Sequence, residues 1–488
     1  MNRDGTPAVR RGDLLRRCAA VCGSLAAVMT WTALCAPTPA GPPQPTQAVP
    51  AGQSRQEGAH HPFGLHAVRD DFRAVADLNA TCIRKIILWQ DGEPRRGEYR
   101  TLDDMVRRTQ QLGLSLVITL RPVSRWGGGN VRSPGDLPPI RYSAMPRDMD
   151  AWKEFVRRFV ERYDGDGIDD MPGLRIPIRY WQVENEILWQ WQGSMEEYLH
   201  FLAETSAVIR SADPQARVIL GGLTQCVALA VGAGIGDKQF ITYGDENPQQ
   251  YPREEVIKSS KYRNYRQKVD VLLAGCDPHC DIVDFHDYGD DATDLALVVQ
   301  WFKGQMQRHG YSKPIWSLEN AGPFFEFSER AFAEDVVKRH VVALASGIER
   351  MFWSSLTPTL EWGENFQRLA LKNQSGDRTP AYETYRTMAA RLDGFLTVEQ
   401  ISDQPDLDHY RFRFPDGRWV DVAWSDARQG DAARTVSLTV PETAHAIELV
   451  SGIAGGPGSQ SSTRRLKAEN GAVQVELTSP VLISPARP

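Results

Sequence analysis

The sequence between residues 62 and 392 alternates short apolar segments with longer amphipathic ones, and this cycle repeats eight times. The longer segments carry apolar residues at helical spacing, as Trp152, Phe155 and Phe159 do. The short segments are typical of buried strands and cover residues 62–68, 81–89, 114–120, 178–183, 217–221, 281–285, 314–318 and 348–353. Eight successive strand–helix pairs predict an α/β chain that closes into a parallel (β/α)₈ barrel, the TIM barrel, over residues 61–393.

An open, doubly wound parallel sheet is the alternative arrangement for such an alternation. That fold carries a Gly-rich phosphate-binding turn after an early strand. The first predicted strand runs instead into Leu65-His66-Ala67, which contains no glycine. The sequence therefore favours the closed barrel.

After Asp393 the helical spacing ends, and short apolar segments follow one another. They cover residues 410–414, 419–424, 435–440, 446–450, 472–477 and 481–483. The pair Asp416-Gly417 between the first two segments is a hairpin-turn signal. Residues 394–488 are therefore predicted to form a small antiparallel accessory domain, a β-sandwich beside the barrel.

The first sixty residues differ in composition from the rest of the chain. Arg10, Arg11, Arg16 and Arg17 precede an uncharged run over residues 18–36, a pattern typical of an export signal. Residues 1–40 are predicted to be a cleaved signal peptide or, because the apolar run is long, an uncleaved membrane anchor. Residues 41–60 are rich in Pro, Gly, Gln and Ala and predict a linker. Either interpretation places the barrel outside the cytoplasm, as a secreted or periplasmic protein.

Four of the seven cysteines lie beyond this N-terminal segment. An even number of cysteines in an exported chain permits disulfides. Cys276 and Cys280 are separated by three residues, and we expect them to close a small loop. A metal site that also uses His279 is the alternative, although a fourth ligand at motif spacing is missing. We expect neither a metal nor a cofactor.

Charge and aromatic content limit the possible partners. The net charge is −6, and no basic stripe indicates nucleic acid as a partner. The chain has 13 tryptophans, many of them near predicted strand ends. Indole faces stack on the apolar faces of sugar rings, which favours a carbohydrate ligand, although tryptophan also fills cores.

Two glutamates follow strands on opposite parts of the predicted ring. The fourth strand runs into Glu184-Asn185-Glu186, and the seventh runs into Glu319. Barrel enzymes carry their catalytic residues at the carboxyl ends of the strands, so both carboxylates are predicted to face the same mouth. Glycosidic cleavage needs such a pair: one group protonates the leaving oxygen, and the other attacks the sugar or activates water.

Over residues 62–392 the sequence resembles clan A of the retaining glycoside hydrolases, which includes cellulases, mannanases, β-xylosidases and α-L-iduronidases. In that clan the general acid/base glutamate follows an asparagine at the end of the fourth strand, as in Asn185-Glu186. The nucleophile is a glutamate at the end of the seventh strand, which matches Glu319. The resemblance implies that Asn185 donates a hydrogen bond to the sugar 2-hydroxyl.

Further positions match the cellulase-type members of this clan. Arg84 and Trp89 match an arginine early in the second strand and an aromatic five residues later. His286 and Tyr288 match the His-x-Tyr motif after the sixth strand, and Trp353 matches a tryptophan after the eighth. The resemblance implies that Arg84 and Tyr288 hold the nucleophile, that His286 contacts the acid or the substrate, and that Trp353 lies under the reacting sugar. Structural roles for Arg84, Tyr288 and Trp353 remain open.

Two departures from the clan pattern affect the predicted site. The third strand runs into Arg121 where the clan usually has a histidine, so Arg121 or Trp126 is predicted to occupy that space. An arginine there would favour an anionic sugar such as a uronate, although a structural ion pair is equally open. Glu184 lies two residues before Glu186, so period-two alternation makes it the competitor for the acid role.

The sequence therefore predicts a retaining hydrolase that cleaves an extracellular poly- or oligosaccharide by double displacement. A non-catalytic carbohydrate-binding or polysaccharide-assembly protein on the same barrel is the alternative, and an inverting hydrolase is the third. The carboxyl separation distinguishes the two hydrolases, because it is about 5–5.5 Å in retaining enzymes and roughly 6.5–9.5 Å in inverting ones.

Overall fold

The computed structural model describes residues 58–132, 141–244, 248–325, 327–359, 363–402, 407–425, 434–453, 461–477 and 479–486. The predicted export signal and nearly all of the predicted linker lie outside these ranges. Within them, no helix is both long enough and apolar enough to cross a membrane.

Eight parallel strands form the sheet that the sequence predicted. Their spatial order is β5-β4-β3-β2-β1-β10-β9-β8. The ring is completed between its two ends by parallel bridges from Ile219 to Ile282 and from Leu223 to Phe285. The strands are β1 (Phe63–His66), β2 (Cys82–Leu88), β3 (Ser115–Arg121), β4 (Tyr180–Val183), β5 (Arg217–Ile219), β8 (Val283–Asp287), β9 (Ile315–Asn320) and β10 (Ile348–Ser354). The open-sheet alternative is excluded.

Side-chain alternation along these strands builds the interior of the barrel in layers. The lower layer is an apolar cluster of Cys82, Val117, Ile219, Ile282, Trp316, Leu318 and Phe352. Two residues further along β2, β3 and β8, the inward positions are Arg84, Thr119 and Asp284, which are buried and polar. The polarity of the barrel therefore changes toward the carboxyl ends of the strands, where the site lies.

The helices surround the sheet and are defined by clear terminal signals. Helix α6 begins with a complete capping box formed by Ser194 and Glu197, and α11 ends at Gly347, which has a φ of 103°. The helices are α1 (Phe72–Asp77), α2 (Trp89–Gly92), α3 (Asp103–Gln111), α4 (Met149–Glu161), α5 (Ile187–Gln190), α6 (Met195–Ala212), α7 (Cys226–Gly232), α8 (Arg253–Lys258), α9 (Ser260–Gly275), α10 (Asp294–Arg308), α11 (Glu329–Ser346), α12 (Glu364–Arg368) and α13 (Pro380–Leu392).

The segment after β5 contains more secondary structure than the single helix that the predicted strand–helix repeat implies there. Helices α7, α8 and α9 share it with an antiparallel hairpin of β6 (Phe240–Tyr243) and β7 (Gln249–Pro252). Of this hairpin's residues, Ile241 is buried and Phe240 is exposed. The connection is therefore a structured insertion in the barrel.

The C-terminal strands form two antiparallel sheets, as expected for a β-sandwich. One sheet has six strands in the order β11-β12-β13-β18-β15-β16, and the other is the pair β14-β17. Residues of both sheets, such as Ile447 and Val475, belong to one buried apolar cluster. The strands are β11 (Thr397–Gln400), β12 (Leu407–Arg413), β13 (Trp419–Ser425), β14 (Arg434–Thr439), β15 (Ala446–Ser451), β16 (Thr463–Lys467), β17 (Ala472–Leu477) and β18 (Val481–Pro485).

The expected disulfide between Cys276 and Cys280 is wrong, because both side chains are free thiols. The two residues flank a short 3₁₀ turn, and Cys280 Sγ lies 3.4 Å from the backbone carbonyl of Cys276, to which it donates. Cys276 Sγ lies 3.5 Å from the hydroxyl of Tyr311. Each thiol thus has a hydrogen-bond partner in the protein interior.

Candidate active site

The two glutamates singled out in the sequence meet at the mouth of the barrel. Glu319 lies in β9, and Glu186 follows the end of β4. A carboxylate oxygen of each and a ring nitrogen of His286 all lie within 4.8 Å of one another. His286 is also the direct cross-strand partner of Glu319 in the pairing of β8 with β9. Two carboxyl groups and one imidazole therefore lie close together at the mouth of the barrel.

Glu319 is buried and surrounded by hydrogen-bond donors. Arg84 Nη1 donates to its Oε1 at 2.5 Å, and the Tyr288 hydroxyl donates to its Oε2 at 2.9 Å. His66 Nε2 lies 3.5 Å from Oε1. Burial alone would raise the pKa of Glu319, but the charges of His286 and Arg84 outweigh it and hold that pKa well below its usual range. Glu319 is therefore ionised at neutral pH.

Arg84 is held in place from three sides. Its Nε donates to Thr119 Oγ1 at 2.9 Å, and its Nη2 donates to Gln182 Oε1 at 2.7 Å and to Asn185 Oδ1 at 2.5 Å. These partners come from β3, β4 and the loop after β4. The planar guanidinium presents its donors in a fixed fork, so the partners fix the direction in which Arg84 faces Glu319.

Glu186 is less buried than Glu319 and accepts hydrogen bonds from the short helix that follows it. Trp189 Nε1 donates to Oε2 at 2.9 Å, and Gln190 Nε2 donates to the same oxygen at 3.2 Å. The other oxygen lies 2.9 Å from His286 Nδ1. Helix α5 starts directly after Glu186, so the first helical turn folds its own donors back onto the carboxylate.

His286 connects the two carboxylates to a third, deeper one. Its Nε2 lies 3.2 Å from Asp284 Oδ2, and its Nδ1 faces both Glu186 and Glu319. Burial would lower the pKa of His286, but the charges of Glu319 and Asp284 outweigh it and raise that pKa to about 10. A Cβ at Gly222 would lie 2.5 Å from His286 Nε2, so only glycine leaves room for the ring.

The same three side chains are close enough to share a cation, as are Glu161, Asp164 and Asp166, of which Asp164 is buried and Asp166 is exposed. In the structure, both ring nitrogens of His286 already have a carboxylate partner, Glu186 at 2.9 Å and Asp284 at 3.2 Å.

No protein-family model and no curated protein sequence matches the chain. A family 39 glycoside hydrolase from the gut symbiont Bacteroides cellulosilyticus WH2 is 15% identical, with a TM-score of 0.63 over 88% of this chain and 81% of that one. A glucosidase from Croceicoccus marinus is 12% identical, with a TM-score of 0.57 over 88% and 97%. CelM2, a bifunctional glucanase-xylanase from a metagenome library, is 12% identical, with a TM-score of 0.56 over 88% and 98%.

The chain has the fold of a clan A-like glycoside hydrolase. At these identities the likeness establishes the fold alone.

Within this glycoside hydrolase fold, Arg121 does not have the sugar-binding role predicted for it. Its Nε donates to Glu184 Oε1 at 2.5 Å, its Nη2 donates to the carbonyl of Arg141 at 2.9 Å, and both side chains of the ion pair are buried. Glu184 also accepts from the backbone N–H of Asn185 at 2.9 Å. The pair fixes the loop after β4, so Glu184 is not the competing acid and Arg121 does not indicate a uronate.

Two of the predicted substrate-binding tryptophans are core residues. Trp89 and Trp353 are 0% exposed. Trp353 follows the inward-facing Phe352 in β10, so it faces outward and packs against Phe332 and His340 of α11. A position at a strand end does not by itself fix which face of the sheet a side chain occupies, and the predicted contact of Trp353 with the sugar is therefore wrong.

Trp126 is partly exposed and packs edge-on against Trp89 with ring centroids 4.7 Å apart. Its indole N–H donates to the carbonyl of Glu93 at 2.8 Å. Its proposed contact with substrate stays a prediction, as does the contact of Asn185 with the sugar 2-hydroxyl. In the structure, Asn185 Oδ1 accepts a hydrogen bond from Arg84, and Asn185 Nδ2 donates one to Gln190 Oε1 at 3.2 Å.

Several residues of the site were missed in the sequence. His66 ends β1, and Asp284 precedes His286 by two positions, so strand alternation could have placed both in the mouth. Trp189 and Gln190 carry no such signal, because they reach Glu186 only through the turn of α5. Ser354, whose hydroxyl accepts a hydrogen bond from the Tyr288 hydroxyl at 2.9 Å, ends β10 and faces the opposite side of the sheet from Trp353.

Proposed function

We propose that this protein is a retaining glycoside hydrolase, with Glu319 as nucleophile and Glu186 as general acid/base. One observation carries the proposal: carboxylate oxygens of the two residues approach within 4.8 Å at the mouth of the barrel. This approach favours the short carboxyl separation of about 5–5.5 Å found in retaining enzymes over the roughly 6.5–9.5 Å found in inverting ones.

In the first step, Glu319 attacks the anomeric carbon of the sugar while Glu186 protonates the oxygen of the leaving group. The bond from C1 to the Glu319 oxygen forms as the glycosidic bond breaks, and the proton of Glu186 leaves with the released alcohol. Arg84 and Tyr288 favour the ionised nucleophile before the attack. They also fix its direction, so little reorganisation is needed in the transition state.

In the second step, Glu186 acts as a base. It takes a proton from a water molecule, whose oxygen attacks C1 and releases Glu319. Between the steps Glu186 is ionised, and Trp189, Gln190 and the protonated His286 stabilise that charge. The site therefore holds donors for each carboxylate in the state in which it is charged.

We further propose that the substrate is an extracellular poly- or oligosaccharide. The arginine-rich start and the uncharged run over residues 18–36 support export. Carbohydrate-active structural neighbours, such as the glucosidase and the glucanase-xylanase, support the substrate class.

The test is a screen of the purified protein on aryl glycosides and polysaccharides, with Glu319→Gln as the inactive variant. We expect turnover of at least one substrate and its loss in Glu319→Gln. Glu349→Gln is the matched control, because Glu349 is exposed at the start of β10, at the far end of the barrel from the mouth. Binding of a glycan without turnover would instead support a non-catalytic carbohydrate-binding protein.

A further inference from the structure

A buried arginine behind the site contacts the two residues on either side of Tyr288 in the chain. Arg339 lies in α11 and is 0% exposed. Its Nη1 donates to Asp287 Oδ2 at 2.7 Å, and its Nη2 donates to the carbonyl of Gly289 at 2.7 Å. Tyr288 is the residue between these two partners, so Arg339 holds the side chain of the residue before it and the backbone carbonyl of the residue after it.

The same guanidinium also reaches the strand that carries the nucleophile. Nη1 of Arg339 donates to Asn320 Oδ1 at 3.2 Å, and Asn320 directly follows Glu319. A Cβ at Gly322 would lie 2.3 Å from Arg339 Nη2 and 2.4 Å from the Gly289 carbonyl, so the two loops are in close contact around the arginine. The ends of β8 and β9 are thus tied to a single side chain.

Arg339 is itself oriented by its own helix. Its Nε donates to Asp335 Oδ2 at 2.7 Å, one helical turn away, and Asp335 is also buried. Burying an arginine is costly unless its donors are satisfied, and here the donors are shared among four residues in two strand–loop junctions and one helix. An apolar side chain could fill the same space between helix and sheet, but it would make none of these hydrogen bonds.

We propose that Arg339 is a positioning residue that sets the distance between the Tyr288 hydroxyl and the nucleophile Glu319. It does so by fixing Asp287 and Gly289 on one side and Asn320 on the other. The inference rests on the proposed function, in which Glu319 is the nucleophile. A shift of the Tyr288 loop by a few tenths of an ångström would lengthen the hydrogen bond of 2.9 Å to Glu319 and weaken the ionised form.

The test compares Arg339→Lys, Tyr288→Phe and the double variant in protein labelled with ¹³C at the glutamate carboxyls. The Glu319 signal is assigned by its loss in Glu319→Gln. Lysine keeps the positive charge but offers a single point of donation, so a shift in the titration reports geometry rather than charge. We expect the midpoint of the Glu319 titration to rise in Arg339→Lys and in Tyr288→Phe, with no further rise in the double variant. On any substrate that the wild type hydrolyses, kcat/KM should fall roughly tenfold or more in each single variant.

Arg411→Lys is the matched control, because Arg411 is a buried arginine of the C-terminal domain that donates to Asp421 from Nε and Nη2, both at 2.7 Å. It should lower the unfolding temperature without moving the Glu319 titration. If Arg339→Lys does not fold, Asp335→Asn loosens the same arginine more gently and should move the titration in the same direction.

A wild-type Glu319 titration in folded Arg339→Lys, or full additivity in the double variant, would overturn the inference. The carboxyl titration needs no substrate. Failure of the wild type to hydrolyse any glycoside would therefore refute the proposed function without deciding the role of Arg339.

Discussion

At the scale of single residues, each charged group of the site helps to determine the protonation state of its neighbours. Glu319 stays ionised inside the protein because Arg84 and Tyr288 donate to its two oxygens and because His286 keeps its proton. The sequence predicted by number that Arg84 and Tyr288 would hold Glu319. Strand alternation puts Asp284 on the same face of β8 as His286, but the sequence could not decide between Glu186 and the substrate as the other partner of His286, since no pattern states which inward side chains meet across a barrel.

Arg84→Met removes the closest positive charge from Glu319. The pKa of Glu319 should rise, so activity should be lost at a higher pH as the solution is acidified. A hydrogen bond to a charged group is worth about 1.5–3 kcal/mol, so we expect kcat/KM to fall roughly tenfold to hundredfold. The measurement is the pH dependence of kcat/KM.

Arg179→Met is the control for this variant. Arg179 also forms a barrel ion pair, with Asp213 at 2.7 Å, but it precedes β4 at the opposite end of the strands. The role of Arg84 would be refuted by an acidic limb that stays at its wild-type pH.

His286 predicts a pH dependence of stability. Its pKa is raised from 6.5 to about 10 in the folded protein, so the folded state binds the proton more tightly than the unfolded state. The resulting stabilisation is fully present below pH 6.5 and is lost as the pH rises toward 10. The unfolding free energy should therefore decline over this range in the wild type and decline less in His286→Gln. Parallel curves from urea unfolding at several pH values would contradict this.

At the scale of elements, helices with strong end signals were predicted best. The sequence marks both ends of α6, because Ser194 and Glu197 form a capping box at its start and Asp213 follows its end. The first strand was predicted too long, since Ala67 and Arg69 adopt positive φ values of 49° and 54° that end the extended backbone. The hairpin of β6 and β7 was missed, because its residues show no period-two alternation.

The capping box gives a prediction at this scale. Ser194→Ala removes the side chain that accepts from the backbone N–H of Glu197, and the loss should destabilise the protein by about 1 kcal/mol. Activity at low temperature should not change. Ser211→Ala, on an exposed position of the same helix, is the control and should leave the stability unaltered. Equal effects of the two variants in thermal unfolding would show that the cap contributes nothing.

At the scale of the whole molecule, barrel and sandwich share a core. Phe412 and Trp424 belong to the same apolar cluster as the barrel residues Phe63 and Leu65. Arg391 of α13 also donates to Glu448 of the sandwich at 2.9 Å. The division near residue 393 was visible in the sequence as a change of period. The shared core between barrel and sandwich was not visible in the sequence, because it depends on which faces of β12 and β13 pack against the barrel.

The proposed retaining mechanism depends on the short separation of Glu186 and Glu319 across the barrel mouth. It predicts that the first-formed product keeps the anomeric configuration of the substrate, since two displacements at one carbon restore it. Proton NMR during the first minutes of hydrolysis measures this directly, on whichever substrate the screen identifies. A first product with the same anomeric configuration as the substrate agrees with Glu319 as nucleophile. A first product of opposite configuration would contradict it and make Glu319 a base that activates water.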